Sequence, residues 1–388
     1  MSVSTLEVDV LARCREIVED PAFTAVRRWK EAHPYQKVVG CYPVYSPIEL
    51  VHAAGALPVG IIGGGNQVEI AHADARFQSF ICSIVKSTLE LGLTGRLDLL
   101  DGIFFHSICD PARNLAAVFA RNFPNLRVEY IHYPQNLASP TAVTYFRAEL
   151  ERIRAALAEI TGRSIADEAL HDSIVLYNRW RTRIRHLYEL RQAAPEKLPA
   201  AEAYTLLRAG TLMPVEEHLP LLEAALRKIP GRTAKRQDRI RVVVEGAFCE
   251  QPPVDLIAAI EQAGCYLLDD DLLLGWRWFT GDVQEDGDPL EALATSYIDR
   301  SVYCGTKHDT RAPKAAHLVQ RVRALGADAV LFLCAKFCEP ALFDYALYRR
   351  ALEEAGIPHL FLEFEEKMWI FDRARGEVET FVESMLFG

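Results

Sequence analysis

DGIFFHSICDPARNLAAVFARN, residues 101–122, places an apolar strand, a cysteine and a helical pattern in immediate succession. The strand is predicted at residues 101–105 and the helix at 110–122, so Cys109 lies between the end of one and the start of the other. In open α/β folds, ligands bind at this carboxyl edge of a parallel sheet. The segment therefore predicts an α/β fold with a functional site near Cys109.

The same alternation of strands and helices fills the first 140 residues. After a helical start, apolar strands are predicted at residues 37–41, 57–62 and 127–131, with helical patterns at 47–55 and 79–93. Strands separated by segments of helix length favour parallel pairing with right-handed crossovers. We therefore predict an N-terminal α/β domain over residues 1–140, which carries Cys82 and Cys109.

Two further regions follow, and they differ in periodicity. Residues 141–238 repeat apolar positions with a period of 3.6 and predict a helical connector. A second α/β domain, which carries Cys338, is predicted over residues 239–388, with strands at 240–246, 265–268, 329–334 and 359–364 and helices at 254–263, 289–298, 313–325 and 340–355. The predicted fold is α/β, with two parallel-sheet domains of flavodoxin/Rossmann-like type joined by a helical segment.

Composition narrows the classes of partner. The chain of 388 residues has 43 Lys and Arg against 53 Asp and Glu, a net charge of −10, which disfavours nucleic acid and anionic membrane as partners. We see no secretory signal and no run of apolar residues long enough to span a membrane, so we expect a cytoplasmic protein. In that compartment the nine cysteines are expected to be reduced thiols or metal ligands.

Spacing alone does not assign the cysteines to a metal site. Cys82 and Cys109 are too far apart for the C-x-x-C loops of ferredoxins or zinc ribbons. Position is more informative, because Cys109 and Cys338 each follow a predicted strand and precede a helix, whose N-terminus favours a thiolate. A packing role is common for an isolated cysteine. That role suits Cys14, Cys265 and Cys334 and stays open for Cys41, Cys249 and Cys304, of which Cys41 and Cys249 end strands and could line a cavity.

Several short motifs resemble a known family over most of the chain. They are YSPIEL at 45–50, AAGALPV at 53–59, ICS at 81–83, CD at 109–110 with Arg113, and KFCEP at 336–340. Together they are similar to the 2-hydroxyacyl-CoA dehydratase and benzoyl-CoA reductase family. The segments GAFCEQPP at 246–253, LDDD at 268–271 and GDPLEALAT at 287–295 look most like the smaller cluster-bearing subunits of the ATP-dependent reductase branch.

The resemblance implies a cofactor and partners. It implies one [4Fe-4S] cluster at the domain interface on Cys82, Cys109 and Cys338, which leaves one iron without a protein sulfur. A related cluster-bearing subunit would complete the enclosure of an acyl-CoA substrate, and ATPase/activator-type subunits would deliver electrons that the complex receives from ferredoxin. This chain has no G-x-x-x-x-G-K-[ST] loop, since Gly63-Gly64-Gly65-Asn66 lacks the lysine, so we expect ATP to bind elsewhere.

Two reactions fit the implied cofactor. The first is reduction of the benzoyl-CoA ring to cyclohexa-1,5-diene-1-carbonyl-CoA, and the second is radical elimination of water from a 2-hydroxyacyl-CoA. Uphill electron transfer to an aromatic thioester requires a low-potential donor in a dry cavity, which supports a cluster. A cluster carrier without its own substrate site and a zinc-stabilised structural protein are the hypotheses from other classes.

Three further residues are candidates for catalysis. His106 stands three residues before Cys109 and could donate a proton or a hydrogen bond, although a structural role is the alternative. Glu250 could polarise a bound group or cap the helix after Pro252 and Pro253. Tyr45 could contact substrate or pack at the start of a helix.

Two other clusters are predicted to be structural. The acidic run Asp269-Asp270-Asp271 cannot easily converge on one cation, so it predicts a turn. The aromatic residues Trp276, Trp278 and Phe279 could cover a ring, but packing in the core or an interface is the preferred interpretation.

Overall fold

The computed structural model confirms an α/β fold with two four-stranded sheets, both parallel. It describes residues 9–274, 276–277, 279, 281–301, 313–365 and 370–387. The first sheet has the order β2-β1-β3-β4, and its strands are β1 Lys37–Cys41, β2 Ala56–Gly60, β3 Gly102–His106 and β4 Arg127–Ile131. The second has the order β6-β5-β7-β8, and its strands are β5 Ile240–Glu245, β6 Cys265–Asp269, β7 Ala329–Ala335 and β8 His359–Phe364.

Helices connect the strands and fill the middle of the chain. Around the first sheet they are α1 Asp9–Val18, α2 Thr24–Ala32, α3 Ile48–Ala53, α4 Ser83–Leu93 and α5 Asp110–Asn122. The middle segment consists of α6 Ala142–Thr161, α7 Asp167–Ala193, α8 Ala200–Ala209 and α9 Val215–Lys228. Around the second sheet they are α10 Val254–Gln262, α11 Pro289–Asp299, α12 Lys314–Leu325, α13 Glu339–Ala355 and α14 Asp372–Phe387. In the described part of the chain, no helix combines the length and apolar character needed to cross a membrane.

Both sheets share one topology. In each sheet the second strand along the chain pairs with one side of the first strand, and the third strand pairs with the other side. The direction of strand order therefore reverses between β1 and β3 in the first sheet and between β5 and β7 in the second. Open α/β sheets bind ligands outside the carboxyl ends of the strands at such a switch point. The loops after β1, β3, β5 and β7 are therefore the expected positions of functional groups.

The middle helices pack on both lobes of the protein, the first lobe built on strands β1–β4 and the second on strands β5–β8. Helix α6 contacts α11, α7 contacts α3 and β6, and α8 contacts α10. A buried ion pair between Arg181 of α7 and Glu49 of α3 accompanies the packing on the first lobe. Whether residues 141–238 form a unit of their own stays a prediction, since their apolar faces are covered by elements of both flanking regions.

The acidic run after β6 has a larger structural role than the predicted turn. Asp269 still belongs to the strand. Asp270 is buried and pairs with Arg191 of α7 at 2.6 Å and with Arg277 at 3.0 Å. Asp271, also buried, accepts hydrogen bonds from the backbone N–H groups of Gly246 at 2.7 Å and Ala247 at 3.0 Å. These carboxylates therefore fasten α7 and the loop after β5 to the second sheet.

Gly246 ends β5 in a conformation that other residues rarely adopt. Its φ is +105°, and a Cβ at this position would lie 2.8 Å from Sγ of Cys334 and 3.0 Å from the carbonyl oxygen of Leu333. Backbone atoms of β7 cannot move away without breaking the sheet, so the position requires glycine. The loop that carries residues 247–253 leaves the sheet at this point.

We expect Gly246→Ala to lower the free energy of unfolding by about 1–3 kcal/mol, because the alanine would be strained in φ and would press on β7. Urea unfolding followed by circular dichroism measures the change. Gly376→Ala is the matched control, because its Cβ would meet no atom within 4 Å and it lies inside α14, where alanine is favoured. Equal stability of Gly246→Ala and the wild type would contradict this account.

Candidate functional site

Four cysteines from four separate segments line one cavity between the lobes. Cys82 and Cys109 come from the first lobe, and Cys249 and Cys338 from the second. The space between the lining side chains measures about 460 Å³, including its opening to solvent. The structure thus brings together the three cysteines predicted from the sequence and adds a fourth.

Three of these cysteines occupy the same position relative to a helix. Cys82 is the N-cap of α4, Cys109 that of α5 and Cys338 that of α13. Helix N-termini carry partial positive charge from unsatisfied N–H groups, which stabilises a nearby thiolate. Phe337, with a φ of +66°, turns the chain between β7 and α13. Three helix N-termini are therefore directed at one cavity.

Burial controls the protonation of the four thiols. It raises the pKa of Cys109 to about 11 and that of Cys338 to about 12, and it raises the pKa of Cys82 and Cys249 well above the ordinary value. After burial, the negative charges of Cys338, Cys109 and Cys82 each raise the pKa of Cys249 further. The four sulfur atoms therefore share one electrostatic environment, in which thiolates require a compensating cation.

The remaining walls of the cavity include large apolar side chains and one carboxylate. Tyr42, Phe248 and Phe337 are among the lining residues. The carboxylate is Glu250, whose Oε2 accepts a hydrogen bond of 3.1 Å from the backbone N–H of Ile84 in the first turn of α4. The sequence left two roles open for Glu250. Polarisation of a bound group stays a prediction, and the other role was to cap the helix after Pro252 and Pro253. Glu250 instead caps a helix of the other lobe, because the loop after β5 turns toward the cavity.

His106 is not among the residues that line the cysteine cavity. Its side chain is fully buried, and its Nε2 lies 2.9 Å from Oγ of Ser46, whose hydroxyl donates to the carbonyl oxygen of Tyr42 at 3.2 Å. Burial lowers the pKa of His106 to about 3, so the ring is neutral near pH 7. A catalytic role for His106 stays a prediction, and its visible contact is with the loop that carries Tyr42.

Tyr45 also lies outside the lining of this cavity. It is fully buried with a φ of +58°, and its ring stacks on Tyr133 with centroids 3.9 Å apart and planes inclined by 15°. This packing corresponds to the structural alternative for the motif around Pro47. A substrate contact by Tyr45 stays a prediction.

The other described cysteines are buried and are not among the residues lining this cavity. They are Cys14, Cys41, Cys265 and Cys334, and all eight described cysteines are free thiols. Cys304 and Trp278 lie outside the described residues. Trp276 and Phe279 are buried in the core, as the preferred interpretation of the aromatic cluster expected.

Ligation of a single metal ion requires side chains that converge on one point. Within the ranges that the structure describes, no three His, Cys, Asp or Glu side chains have that arrangement.

A second cavity adjoins the first through Ile108 and Cys109, which line both. Its other lining residues include Arg113 and His132. Cys109 is correspondingly the one cavity cysteine that is only partly buried. The thiol of Cys109 is therefore the most accessible of the four.

Comparison with known proteins identifies the class to which this architecture belongs. Residues 43–385 match the family described as 2-hydroxyglutaryl-CoA dehydratase, D-component, and the chain belongs to that family.

Among individual relatives, the chain is 40% identical to the benzoyl-CoA reductase subunit designated C of Thauera aromatica, over 97% of this chain and 98% of the relative. It is 29% identical to the beta subunit of lactoyl-CoA dehydratase of Anaerotignum propionicum, again over 97% and 98%. It is 27% identical to the (R)-phenyllactyl-CoA dehydratase beta subunit of Clostridium sporogenes, over 96% and 97%. The relatives are subunits of reductases and dehydratases, which confirms the family resemblance seen in the motifs.

Cys249 is the cavity residue that the sequence did not assign to the site. The available signal was its position shortly after β5, beside the switch point of the second sheet, which corresponds to the loop after β1 in the first sheet. The resemblance named three cysteines, and periodicity could not show that the loop after β5 bends toward the other lobe.

Because the buried imidazole of His106 is neutral, we predict that the free energy of unfolding depends on pH below neutrality. Below its ordinary pKa of 6.5 the unfolded chain binds a proton that the folded chain, with a pKa of about 3, does not. Stability therefore falls as the pH drops through this window, by about 1.4 kcal/mol per pH unit for this residue.

We expect His106→Gln to make the loss of stability between pH 6.5 and pH 5 shallower by about that amount in urea titrations. A slope that is the same in His106→Gln and the wild type would show that His106 is not held neutral.

Proposed function

We propose that this chain is a [4Fe-4S]-carrying subunit of an ATP-dependent benzoyl-CoA reductase, which reduces the ring of benzoyl-CoA to cyclohexa-1,5-diene-1-carbonyl-CoA. The observation that carries the proposal is 40% identity to a benzoyl-CoA reductase subunit over nearly the whole of both chains. The gathering of Cys82, Cys109 and Cys338 at one cavity supports it.

The donor set of the cavity fits an iron–sulfur cluster. Thiolates are the ligands of such clusters, and each thiolate binds its own iron at a corner of the cube. The sulfur ligands of a cluster must therefore share one space, and Cys82, Cys109 and Cys338 line one cavity. Positive charge on the irons would compensate the buried thiolates, and Cys82, Cys109 and Cys338 would hold the cluster from three helix N-termini.

The bound cluster would supply single electrons at low potential. The chain's own residues would hold and shield it. The buried side chains of Tyr42 and Phe248 would limit the access of water to the thiols, which would protect strongly reducing chemistry from side reactions. Glu250 fixes the first turn of α4 against the second lobe through Ile84.

In this proposal His106 and Tyr45 are positioning residues. His106 acts through Ser46 on the backbone of Tyr42, which lines the cavity. Tyr45 packs on Tyr133 and holds the same loop. Proton donors to the substrate would then come from groups that reach the acyl-CoA directly.

The proposed partners follow from the reductase assignment. They are a related cluster-bearing subunit, subunits of the ATPase/activator type, ferredoxin as electron donor to the complex, and the acyl-CoA substrate. The relatives are themselves designated as subunits, which supports a hetero-oligomer. We place the complex in the cytoplasm.

A 2-hydroxyacyl-CoA dehydratase subunit is the second candidate, because relatives at 29% and 27% identity carry that designation. Electron stoichiometry separates the two reactions. We expect the purified complex, supplied with ATP and a low-potential donor under strict exclusion of oxygen, to consume about two electrons per benzoyl-CoA converted. Turnover of a 2-hydroxyacyl-CoA with only a catalytic amount of reductant consumed would instead establish the dehydratase.

The proposed ligands are tested one at a time. We expect Cys82→Ser, Cys109→Ser and Cys338→Ser each to lose the cluster or most of its iron, because a serine oxygen is a poor ligand for iron in a sulfide cluster. Iron and sulfide analysis and the visible absorbance of the anaerobically purified chain measure the loss.

Cys14→Ser is the control, since this cysteine is buried outside the cavity. It should keep about four irons per chain, as the wild type should. An intact cluster in any of the three cavity variants would remove that cysteine from the ligand set. A wild-type chain that binds no iron and sulfide would overturn the proposed function, and a cluster spectrum that acyl-CoA leaves unchanged in the whole complex would favour an electron carrier.

A further inference from the structure

Cys249 is placed in the cavity by a loop that is fixed at several points. The N–H groups of Gly246 and Ala247 donate to Asp271. The side chain of Gln251 donates to the carbonyl oxygen of Ala247 at 2.9 Å and accepts from the N–H of Leu273 at 2.9 Å. Since residues on both sides of Cys249 are held, its thiol has a defined position.

The same loop is fastened directly to the helix that carries another cavity cysteine. Glu250, which follows Cys249, accepts a hydrogen bond from the N–H of Ile84 in α4. Cys82 is the N-cap of the same helix. The bond therefore sets the position of Cys249 relative to Cys82 across the gap between the lobes.

The cavity distinguishes Cys249 from the packing cysteines of the second lobe. Cys265 and Cys334 lie within strands β6 and β7, are fully buried and do not line the cavity. Cys249 lines it together with all three predicted ligands.

A cube-shaped [4Fe-4S] cluster has four irons, and four thiols line this cavity. The irons occupy four corners, so ligands must approach from four directions. The loops that follow β2, β3, β5 and β7 supply the four thiols here, two from each lobe. Three ligands leave a corner that water or substrate can fill, whereas a fourth thiolate closes it.

We propose that Cys249 is the fourth protein ligand of the cluster in this chain. The inference rests on the proposed function, because it requires a cluster on Cys82, Cys109 and Cys338. As the sulfur of Cys249 bonds the fourth iron, its thiol proton leaves to solvent and water leaves the iron. With every iron held by a cysteine, this subunit relays electrons, and the substrate meets an open iron, if any, in a different subunit.

The closure of the fourth iron is tested on the full chain, loaded with iron and sulfide in the absence of oxygen. An iron held by cluster sulfides and water alone is lost first on mild oxidation, because no protein bond retains it. We expect the wild type to keep about four irons after brief ferricyanide treatment. We expect Cys249→Ala to lose about one and to show the electron paramagnetic resonance signal of a three-iron cluster.

Cys265→Ala is the matched control, because it removes a buried thiol of the same lobe that does not line the cavity, and it should behave as the wild type. Added imidazole should shift the spectrum of the reduced cluster in Cys249→Ala and leave the wild type unchanged. Loss of one iron from the wild type, or an imidazole shift in it, would overturn the proposal even if the variant failed to fold.

The same experiment separates this proposal from the one on which it rests. A wild-type chain without iron and sulfide overturns the proposed function and the inference together. A wild-type chain that carries a cluster but sheds one iron overturns the assignment of Cys249 alone. Retention of all irons by a folded Cys249→Ala has the same meaning, since the fourth iron would then be held without this thiol.

Discussion

Parallel pairing is the constraint from which the site follows. In a parallel sheet every strand ends at the same edge, so the loops that follow the strands are neighbours in space although they are far apart in the chain. This protein has two such sheets with the same strand order, and their loops line one cavity. The hydrogen bond from Ile84 to Glu250 joins the two edges directly. The parallel pairing of the strands thus determines where the polar and thiol groups of the site lie.

Local pattern was sufficient for the elements and for part of the site. The strand at 127–131 and the helix at 110–122 have the predicted bounds, and the helix starts that position Cys109 and Cys338 were visible as strand–helix junctions. The order of strands and the sharing of one cavity by two lobes depend on contacts between distant segments, which periodicity does not encode. The resemblance to the family, more than any spacing, selected Cys82, Cys109 and Cys338 from nine cysteines.

The features that sequence reasoning missed are tertiary. Asp270 accepts a hydrogen bond from the N–H of Leu272, as a turn residue does, but its ion pairs with Arg191 of α7 and with Arg277 were not predicted. Helix α10 begins shortly after Glu250 in the sequence, yet the carboxylate of Glu250 accepts its hydrogen bond from Ile84 of α4 in the opposite lobe. In each case the partner was set by packing between elements, so short-range chemistry pointed to a plausible but different neighbour.

The spread of the cavity thiols along the chain has a consequence for how the protein is made. Cys82 emerges early during translation and Cys338 near the end, and both must be seated on completed helix N-termini before they can act together. A ribosome-bound chain that lacks its last strands cannot present the full set of sulfur atoms. The proposed cluster would therefore gain its full set of thiols only after translation, once β7 and α13 have folded.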